Sequence, residues 1–206
     1  MQISSTSLWS TNILQTKLPF NEEFLKNLSQ FIISLSTDDK NKVQASNVGG
    51  WHSNYDLAQN QNEYNLEAHK KVNEIITWLY SKDDNKYFDS HKLVMNSWAN
   101  VNFEGTFQSY HNHAEWALSA VFYVNVPENV VNERNGSISF QDFSSRSMNP
   151  NFNELKHVLG EKERRIKVKA SDLIIFPSHL PHAVNPTYVK EPRITIAFNF
   201  RTIPLM

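Results

Sequence analysis

The hydrophobic pattern of the chain changes its period near Lys92, and no other feature of the sequence constrains the fold as much. Before this point, apolar residues recur at three- and four-residue spacing, which is typical of amphipathic helices. After it, short segments alternate between apolar and polar residues and are rich in valine, isoleucine, phenylalanine, tyrosine and threonine. This pattern indicates β-strands. The sequence therefore predicts helices followed by a strand-rich core.

Two segments of the first half are predicted to be helical. The first follows Asn21, a candidate N-cap, and its apolar residues at helical spacing are Phe24, Leu28, Phe31, Ile32 and Leu35. The second is NEYNLEAHKKVNEIITWLYSK, which places on one face Leu66, Val72, Ile75, Ile76 and Leu79. Between them, SNVGGWHSN carries two of the five glycines and is predicted to be a turn or loop.

The second half contains a series of candidate strands separated by turn residues. They are KLVMNSWANVNF, FQSYHNH, ALSAVFYVNVP, SISFQDF, RIKVKASDLIIFP, HAVNP and RITIAFNF. Several short strands behind two helices predict a mainly β sandwich or barrel, a jelly roll whose N-terminal α-helices cover one sheet. We expect a single domain over residues 1–206, with a helical N-terminal buttress at 1–91 and a β core at 92–206.

Composition narrows the possible functions. The 20 basic and 21 acidic side chains give a net charge of −1, which argues against a broad nucleic-acid interface. No apolar run is long enough to cross a membrane, and the polar N-terminus does not resemble a signal peptide, so we expect a cytoplasmic protein. The chain has no cysteine, which excludes thiolate-based sites and leaves eight histidines as candidate soft-metal ligands.

The segment GTFQSYHNHAEW contains two histidines at alternate positions. In an extended strand, His111 and His113 would point to the same face, and two imidazoles at this spacing can chelate one divalent ion. Glu115 would share that face if the strand continued. A third ligand would have to come from FPSHLPHAVNP, which offers His179 and His182. The alternative is that these histidines lie on a solvated strand face and bind nothing.

The other histidines have no partner at ligand spacing. We expect them at the surface, although His52 has glycine-rich surroundings; they are His52, His69, His91 and His157.

The last predicted strand places an arginine on one of its two faces. In RITIAFNF one face is continuously apolar, and the other carries Arg193, Thr195, Ala197 and Asn199. A buried guanidinium is costly unless it meets an anion, and it can grip a carboxylate through two parallel hydrogen bonds to which the threonine hydroxyl adds a third. The alternative is an edge strand with Arg193 in water. In ALSAVFYVN, alternation puts Ser119 and Tyr123 on one face, where they could line the same cavity.

The order of these features, H-x-H, a distant histidine and then Arg-x-Thr eleven residues later, resembles the Fe(II)/2-oxoglutarate-dependent oxygenases. The resemblance covers residues from about Trp98 to Arg201 and is closest to the prolyl-hydroxylase-like branch. SNVGGWHSN together with YHNH is similar to a group of uncharacterised bacterial and phage oxygenases in that branch. The resemblance implies a double-stranded β-helix fold, an Fe(II) centre, 2-oxoglutarate as cosubstrate and O2 as oxidant.

The resemblance also implies roles for particular residues. His111 and His182 match iron ligands, and Arg193 matches the arginine that binds the far carboxylate of 2-oxoglutarate. Thr195 and Tyr123 match its partners at that carboxylate. Ser119 falls where a small polar residue lines the pocket.

One position departs from the family pattern. The family has an acidic ligand two residues after the first histidine, and this chain has His113 there. Two ligand sets remain open, namely His111, His113 and His182, or His113 and Glu115 with His182. The six-residue step from Gly105 to His111 resembles the family and favours the three-histidine set. Neutral imidazole in place of a carboxylate raises the net charge of the site by one.

The implied activity is hydroxylation of a substrate C–H bond with release of succinate and CO2, in a bacterial or phage-infected cell. The substrate would be a peptide or a small molecule, with peptidyl proline as one candidate, and neither a membrane nor a nucleic acid is expected as partner. Two alternatives remain: a cupin-type three-histidine metalloenzyme, which GTFQSYHNH and PSHLPH partly resemble, and a non-catalytic jelly-roll binding module.

Overall fold

The computed structural model describes residues 10–38, 42–82, 86–128, 135–144, 151, 153–155, 158 and 160–205. Its helices are α1 (Glu22–Asp38), α2 (Glu63–Ser81) and α3 (Tyr87–Ser90). Its strands are β1 (Leu14–Lys17), β2 (Asn47–Val48), β3 (Trp51–His52), β4 (His91–Asn102), β5 (Phe107–His111), β6 (Leu118–Asn125), β7 (Ile138–Gln141), β8 (Glu163–Ile166), β9 (Asp172–Pro177), β10 (His182–Val184) and β11 (Arg193–Pro204).

The two long helices begin at asparagine side chains that bind free backbone N–H groups. The Asn21 side-chain oxygen accepts from Phe24 N–H at 2.9 Å, as the sequence predicts, and the Asn62 side-chain oxygen accepts from Tyr64 and Asn65 N–H at 3.1 Å. The buried face of α2 is rotated from the predicted one, because Leu66 is 39% exposed. The residues that α2 buries are Asn65, Ala68, His69, Val72 and Ile76.

The strands form two antiparallel sheets. The larger has six strands in the order β1-β9-β6-β11-β4-β3, and the smaller has five in the order β2-β5-β10-β7-β8. The predicted mainly β jelly roll is confirmed. The N-terminal segment is not purely helical, since β1 and β3 pair with strands of the larger sheet and β2 pairs with β5 of the smaller one.

Both faces of the larger sheet are buried, and each serves a different core. The apolar residues of β11 and β6 on the outer face pack against α1 and α2 in the main hydrophobic cluster, among them Leu28, Ile32, Val72, Ile76, Phe122, Ile196 and Phe198. A smaller cluster closes one part of the space between the sheets, with Tyr123, Ile138, Phe140, Val168, Ile174 and Phe176. The helices therefore cover one sheet, as predicted, and leave the space between the sheets for a site.

In the described part of the chain, no helix is long and apolar enough to span a membrane.

Candidate functional site

Three histidines meet in the space between the two sheets. His111 ends β5 and His182 begins β10, and the two are opposite each other in the antiparallel pair. His113 lies two residues beyond β5, where its backbone N–H donates to the Ser178 carbonyl at 2.8 Å. The ring centroids of His111 and His182 are 4.3 Å apart, and His113 lies 5.0 and 5.3 Å from them. One ring nitrogen of each histidine lies within 4.8 Å of the other two.

Backbone carbonyls fix the orientation of two of these rings. The Nδ1 atom of His111 is 2.7 Å from the Ser109 carbonyl, and that of His182 is 2.9 Å from the Leu180 carbonyl. Because a carbonyl can only accept, each Nδ1 carries the proton and each Nε2 presents a lone pair. Histidines that bind metals are commonly oriented in this way by a hydrogen bond at the other ring nitrogen.

Burial keeps the three imidazoles neutral. It lowers the pKa of His182 to about 3 and that of His113 to about 4, with the neighbouring imidazoles as smaller contributions in the same direction. Burial also lowers the pKa of His111. Neutral imidazole is the form that binds a metal ion, so the cluster needs no deprotonation to act as a ligand set.

Glu115 does not join this cluster. It is exposed in the turn after His113, whereas the three histidines line a cavity of about 380 Å³ between the sheets. Among the described residues that line this cavity there is no aspartate or glutamate. His179, the other candidate from the same segment, is exposed and lies outside the cavity lining.

The inner face of the larger sheet brings Arg193 into the same cavity. The alternation of β11 is as predicted: its apolar face joins the helix-side core, and the opposite face lines the cavity with Arg193, Thr195, Ala197 and Asn199. Arg193 is 1% exposed, so the alternative of an arginine in water is wrong. Its Nη1 donates to the Asn102 side-chain oxygen at 3.3 Å, and its guanidinium carbon lies 5.0 Å from the centre of the Tyr123 ring.

Arg193 and Tyr123 interact electrostatically, but each keeps one buried polar atom without a well-formed hydrogen bond among the described residues. These atoms are the Nε of Arg193 and the hydroxyl of Tyr123. Burial lowers the pKa of the Arg193 guanidinium and raises the pKa of the Tyr123 hydroxyl. Unsatisfied donors on buried residues that line a cavity are costly unless a ligand completes them, so this arrangement fits an anion.

Thr195 and Ser119 line the cavity at different distances from Arg193. Thr195 is 2% exposed and lies opposite Tyr123 in the pairing of β11 with β6. Ser119 lies opposite Asn199, at the other end of the same pair of strands. The Ser119 hydroxyl donates to the Asn199 side-chain oxygen at 2.7 Å and contacts the Ser178 hydroxyl at 2.8 Å.

The segment Ser46–Ser53, here called the strap, joins the two sheets and adds residues that the sequence did not assign to the site. Its first strand, β2, belongs to the smaller sheet and its second, β3, to the larger one. Gly49 and Gly50 connect them with φ of +68° and +62°, a turn that suits glycine at both positions. Ser46 and His52 line the cavity, and the Ser46 hydroxyl lies 3.4 Å from His111 Nε2.

His52 is the fourth histidine of the cavity. It is 2% exposed, which corrects the expected surface position, and its Nδ1 lies 2.6 Å from the Ser53 carbonyl. Its ring stacks on Trp98 with centroids 5.5 Å apart, and Tyr55 packs edge-on against both rings at 5.2 Å. These three side chains form an aromatic wall beside His113, whose ring is 5.6 Å from that of Trp98.

The remaining histidines lie away from the cavity. His69 is also buried, and its Nε2 lies 2.8 Å from the Ser97 hydroxyl, so its expected surface position is wrong. His91 is half-buried and stacks on Tyr87. His157 lies outside the described residues.

Comparison with protein families matches residues 96–199, about half of the chain, to the family described as "Putative 2OG-Fe(II) oxygenase". The chain belongs to this 2OG-Fe(II) oxygenase family. The matched residues include the three histidines and the β11 face that carries Arg193, and the resemblance stated from the sequence is confirmed. No curated protein matches the chain in sequence.

Solved structures of similar fold are oxygenases of the same kind. A Pseudomonas putida prolyl-4-hydroxylase is 14% identical, covers 93% of each chain and has a TM-score of 0.63. A Trichoplax adhaerens prolyl hydroxylase, in complex with a hypoxia inducible factor oxygen degradation domain peptide, is 13% identical over 93% of this chain and 84% of that chain, with a TM-score of 0.65. HygX from Streptomyces hygroscopicus, with nickel, 2-oxoglutarate and hygromycin B bound, is 11% identical over 92% and 82%, with a TM-score of 0.61.

These likenesses establish the fold, since the identities are low. Together with the family match they make the chain a 2-oxoglutarate-dependent oxygenase with a prolyl-hydroxylase-like jelly roll. Of the three hypotheses raised by the sequence, this one is therefore supported over the cupin-type metalloenzyme and the non-catalytic binding module.

Proposed function

We propose that the protein is an Fe(II)- and 2-oxoglutarate-dependent dioxygenase that hydroxylates a C–H bond of its substrate. His111, His113 and His182 hold the iron, and Arg193 with Tyr123 and Thr195 binds the far carboxylate of 2-oxoglutarate. The observation that carries this proposal is a fully buried arginine, with unsatisfied donors around it, in the same cavity as three converging imidazoles. Iron with 2-oxoglutarate and O2 would supply oxidation of the C–H bond, with release of succinate and CO2.

The donor set supports iron as the metal. Three neutral imidazoles suit iron, zinc, copper or nickel, and the absence of cysteine leaves the site without thiolate ligands. The Nε2 lone pairs of His111 and His182 are free of backbone hydrogen bonds, because their Nδ1 atoms make those bonds. Among the metals that imidazole accepts, membership of a 2OG-Fe(II) oxygenase family supports Fe(II).

The geometry favours His113 over Glu115 as part of the ligand set. His113 lies with both other imidazoles inside the cavity, whereas Glu115 is exposed in the following turn. A ligand set that used Glu115 would require the turn to refold and would leave His111 buried without a role. We therefore assign the three-histidine set.

Arg193 is suited to the far carboxylate of 2-oxoglutarate because its position is rigid and its charge is uncompensated. No carboxylate among the described residues pairs with it, and Asn102 occupies only Nη1. A dianion that reaches from the metal to the guanidinium would satisfy Arg193 Nε and accept from the Tyr123 hydroxyl, with the Thr195 hydroxyl beside them.

Ser119 contributes to the cavity wall rather than to the ligand itself. Its only hydroxyl hydrogen goes to Asn199, and it therefore accepts from Ser178. The Ser119 oxygen then has one lone pair left and can only accept a hydrogen bond, which a carboxylate of 2-oxoglutarate has no hydrogen to donate. We therefore propose that Ser119 orients the Asn199 amide at the cavity wall.

For the substrate, we propose peptidyl proline as the first class to test. The prolyl hydroxylases of Pseudomonas putida and Trichoplax adhaerens share this fold, and the second is in complex with a peptide. The aromatic wall of His52, Tyr55 and Trp98 lies beside His113 and lines the cavity, where a pyrrolidine ring can pack against its rings. A small molecule is the alternative, since the structure of HygX, which has a similar fold, has hygromycin B bound.

In the experiment, Fe(II) and 2-oxoglutarate are added anaerobically to the full chain. The weak visible charge-transfer band of the chelate is then measured by absorption. We expect the band for the wild type and its loss in His182→Ala, because that variant loses iron binding. In Arg193→Ala, the 2-oxoglutarate concentration at half-maximal band intensity should rise by about 100-fold or more. His179→Ala and Arg201→Ala are matched controls, because both residues are exposed and should leave the band unchanged. Absence of the band and of aerobic succinate from the wild type would overturn the proposal.

A further inference from the structure

The described side chains that line the cavity between the sheets carry a positive charge and no negative one. Arg193 is the one charged side chain among the described residues that line it, and no carboxylate lines it. Asp172 acts electrostatically on Tyr123 but is not part of the lining. Its carboxylate accepts instead from the Lys169 backbone N–H at 2.8 Å and from the Gln15 amide at 3.3 Å.

This inference rests on the proposed function. When the metal and 2-oxoglutarate are bound as proposed, the cavity has a net positive charge. A divalent metal held by three neutral imidazoles keeps both of its charges, and Arg193 adds a third. The two carboxylates of 2-oxoglutarate neutralise two of the three, so one positive charge remains. A carboxylate at position 113 would have removed it, but His113 does not.

Apolar side chains form part of the surroundings of this remaining charge. The cavity walls include the buried side chains of Trp98, Phe176 and Ala197. Uncompensated charge in such a place is costly, and electrostatic attraction is stronger there than in water. The cavity is therefore expected to recruit an anion.

The same walls offer neutral donors for an anion. The side-chain oxygen of Asn100 accepts from the Gln108 amide at 3.0 Å, and that of Asn199 accepts from the Ser119 hydroxyl at 2.7 Å. Because both oxygens are engaged, the amide nitrogens of Asn100 and Asn199 remain as donors, and both residues line the cavity. The Ser46 hydroxyl lies beside His111 and is a third polar group at the cavity wall.

We propose that the loaded cavity binds a monoanion in addition to 2-oxoglutarate, either an inorganic anion or the carboxylate of the organic substrate. A neutral or cationic compound of the same shape binds less well. The chain thus selects the charge of its second ligand through His113, where the family pattern has a carboxylate.

The test compares acetate with acetamide, which have nearly the same shape but differ in charge. Each is titrated into the anaerobic complex of the full chain with Fe(II) and 2-oxoglutarate at constant ionic strength, and the shift of the visible chelate band is followed. We expect acetate to reach half of its band shift at a concentration about tenfold or more below that needed for acetamide. This ratio is equivalent to ~1.4 kcal/mol. A parallel titration with chloride distinguishes the two sources, since a carboxylate site prefers acetate and an inorganic anion site takes chloride equally well.

Two substitutions at one position separate charge from ligand identity. His113→Asp restores a negative charge and should abolish the preference for acetate, whereas His113→Asn leaves the net charge unchanged and should retain it. If either variant fails to hold iron, the wild-type comparison of acetate with acetamide still decides the question.

The outcomes separate this inference from the proposed function. A wild type without any chelate band contradicts the proposed function. A wild type with the band but with equal midpoints for acetate and acetamide contradicts only the additional anion site. Loss of the band on adding acetate means that acetate displaces 2-oxoglutarate, and this also overturns the inference.

Discussion

The guanidinium of Arg193 lies against the ring of Tyr123, with the guanidinium carbon 5.0 Å from the ring centre. The two residues come from neighbouring strands, β11 and β6, and both are fully buried. The guanidinium lies over the ring face, and neither the Tyr123 hydroxyl nor Arg193 Nε makes a well-formed hydrogen bond within the described structure. The pair is arranged to bind a third group through these two atoms.

We predict that Tyr123→Phe weakens 2-oxoglutarate binding by about tenfold, because the variant loses one hydrogen bond to a charged ligand, worth ~1.5 kcal/mol. The ligand-free protein should be as stable as the wild type or more stable, because the substitution removes a buried hydroxyl that has no partner. Calorimetric titration of the metal-loaded protein and urea unfolding measure the two effects.

Tyr110→Phe is the matched control for this substitution. Tyr110 is 41% exposed and its hydroxyl contacts Ser139 at 3.1 Å, outside the cavity lining. Its removal should leave 2-oxoglutarate affinity unchanged. Equal losses in both variants would show that the Tyr123 hydroxyl does not contact the cosubstrate.

We predict that Arg193→Met does not destabilise the ligand-free protein. The wild-type guanidinium is buried without a carboxylate partner in the described residues, so its desolvation cost is offset only by Asn102 and the Tyr123 ring. Methionine has an unbranched, flexible side chain and fills the same space without charge. Thermal unfolding should show a midpoint no lower than that of the wild type, together with loss of the stabilisation that 2-oxoglutarate gives the wild type.

The opposite result has a clear meaning. If Arg193→Met lowers the free energy of unfolding by more than about 2 kcal/mol, the guanidinium is a structural element of the core. The proposed carboxylate site would then lose its main support.

The alternation of β11 could be predicted from the sequence because the strand is long and both faces are buried. Its 12 residues pair with β4 in unbroken register, so the period of two assigns each side chain to a face. The same reasoning favoured burial of Arg193 but left an exposed edge strand as the alternative, and the structure shows Arg193 buried at 1% exposure. The same alternation placed Ser119 and Tyr123 on the inner face of β6.

The strap and the buried histidines could not be predicted in the same way. Strands β2 and β3 have two residues each, which is too short for any periodic signal, and they join different sheets through Gly49 and Gly50. The buried position of His52 is therefore determined by the pairing of β3 with β4, which is distant in sequence and gives no local pattern. The buried position of His69 depends on its contact with Ser97, which is 28 residues away in another element and gives no local signal.

We predict that metal binding near pH 6.5 releases almost no protons. Burial lowers the pKa of His182 to about 3 and that of His113 to about 4, and it also lowers the pKa of His111. A lowered pKa keeps an imidazole neutral to more acidic pH, so affinity should fall only as the pH approaches these values. Ordinary histidines with a pKa of about 6.5 would each release about half a proton at that pH.

The measurement is calorimetric titration of Ni(II) into the ligand-free protein in buffers of different ionisation enthalpy. The dependence of the observed heat on the buffer gives the number of protons released. A release of about one proton or more at pH 6.5 would contradict burial of the three imidazoles in their neutral form.

The turn that joins the two sheets has no room for a Cβ at its second glycine. A Cβ at Gly50 would lie 2.8 Å from the Val101 carbonyl oxygen, at a φ of +62°. A Cβ at Gly105 has no atom within 4 Å, at a φ of +77°. Both alanine variants carry the same backbone strain, about 1 kcal/mol, and only Gly50→Ala adds a collision with backbone. Urea unfolding should therefore show a clearly larger loss of unfolding free energy for Gly50→Ala.

Because the strap carries Ser46 and His52, Gly50→Ala should also weaken Ni(II) binding, whereas Gly105→Ala should not. Equal losses of stability in the two variants would show that the strap can move away from β4 at no cost.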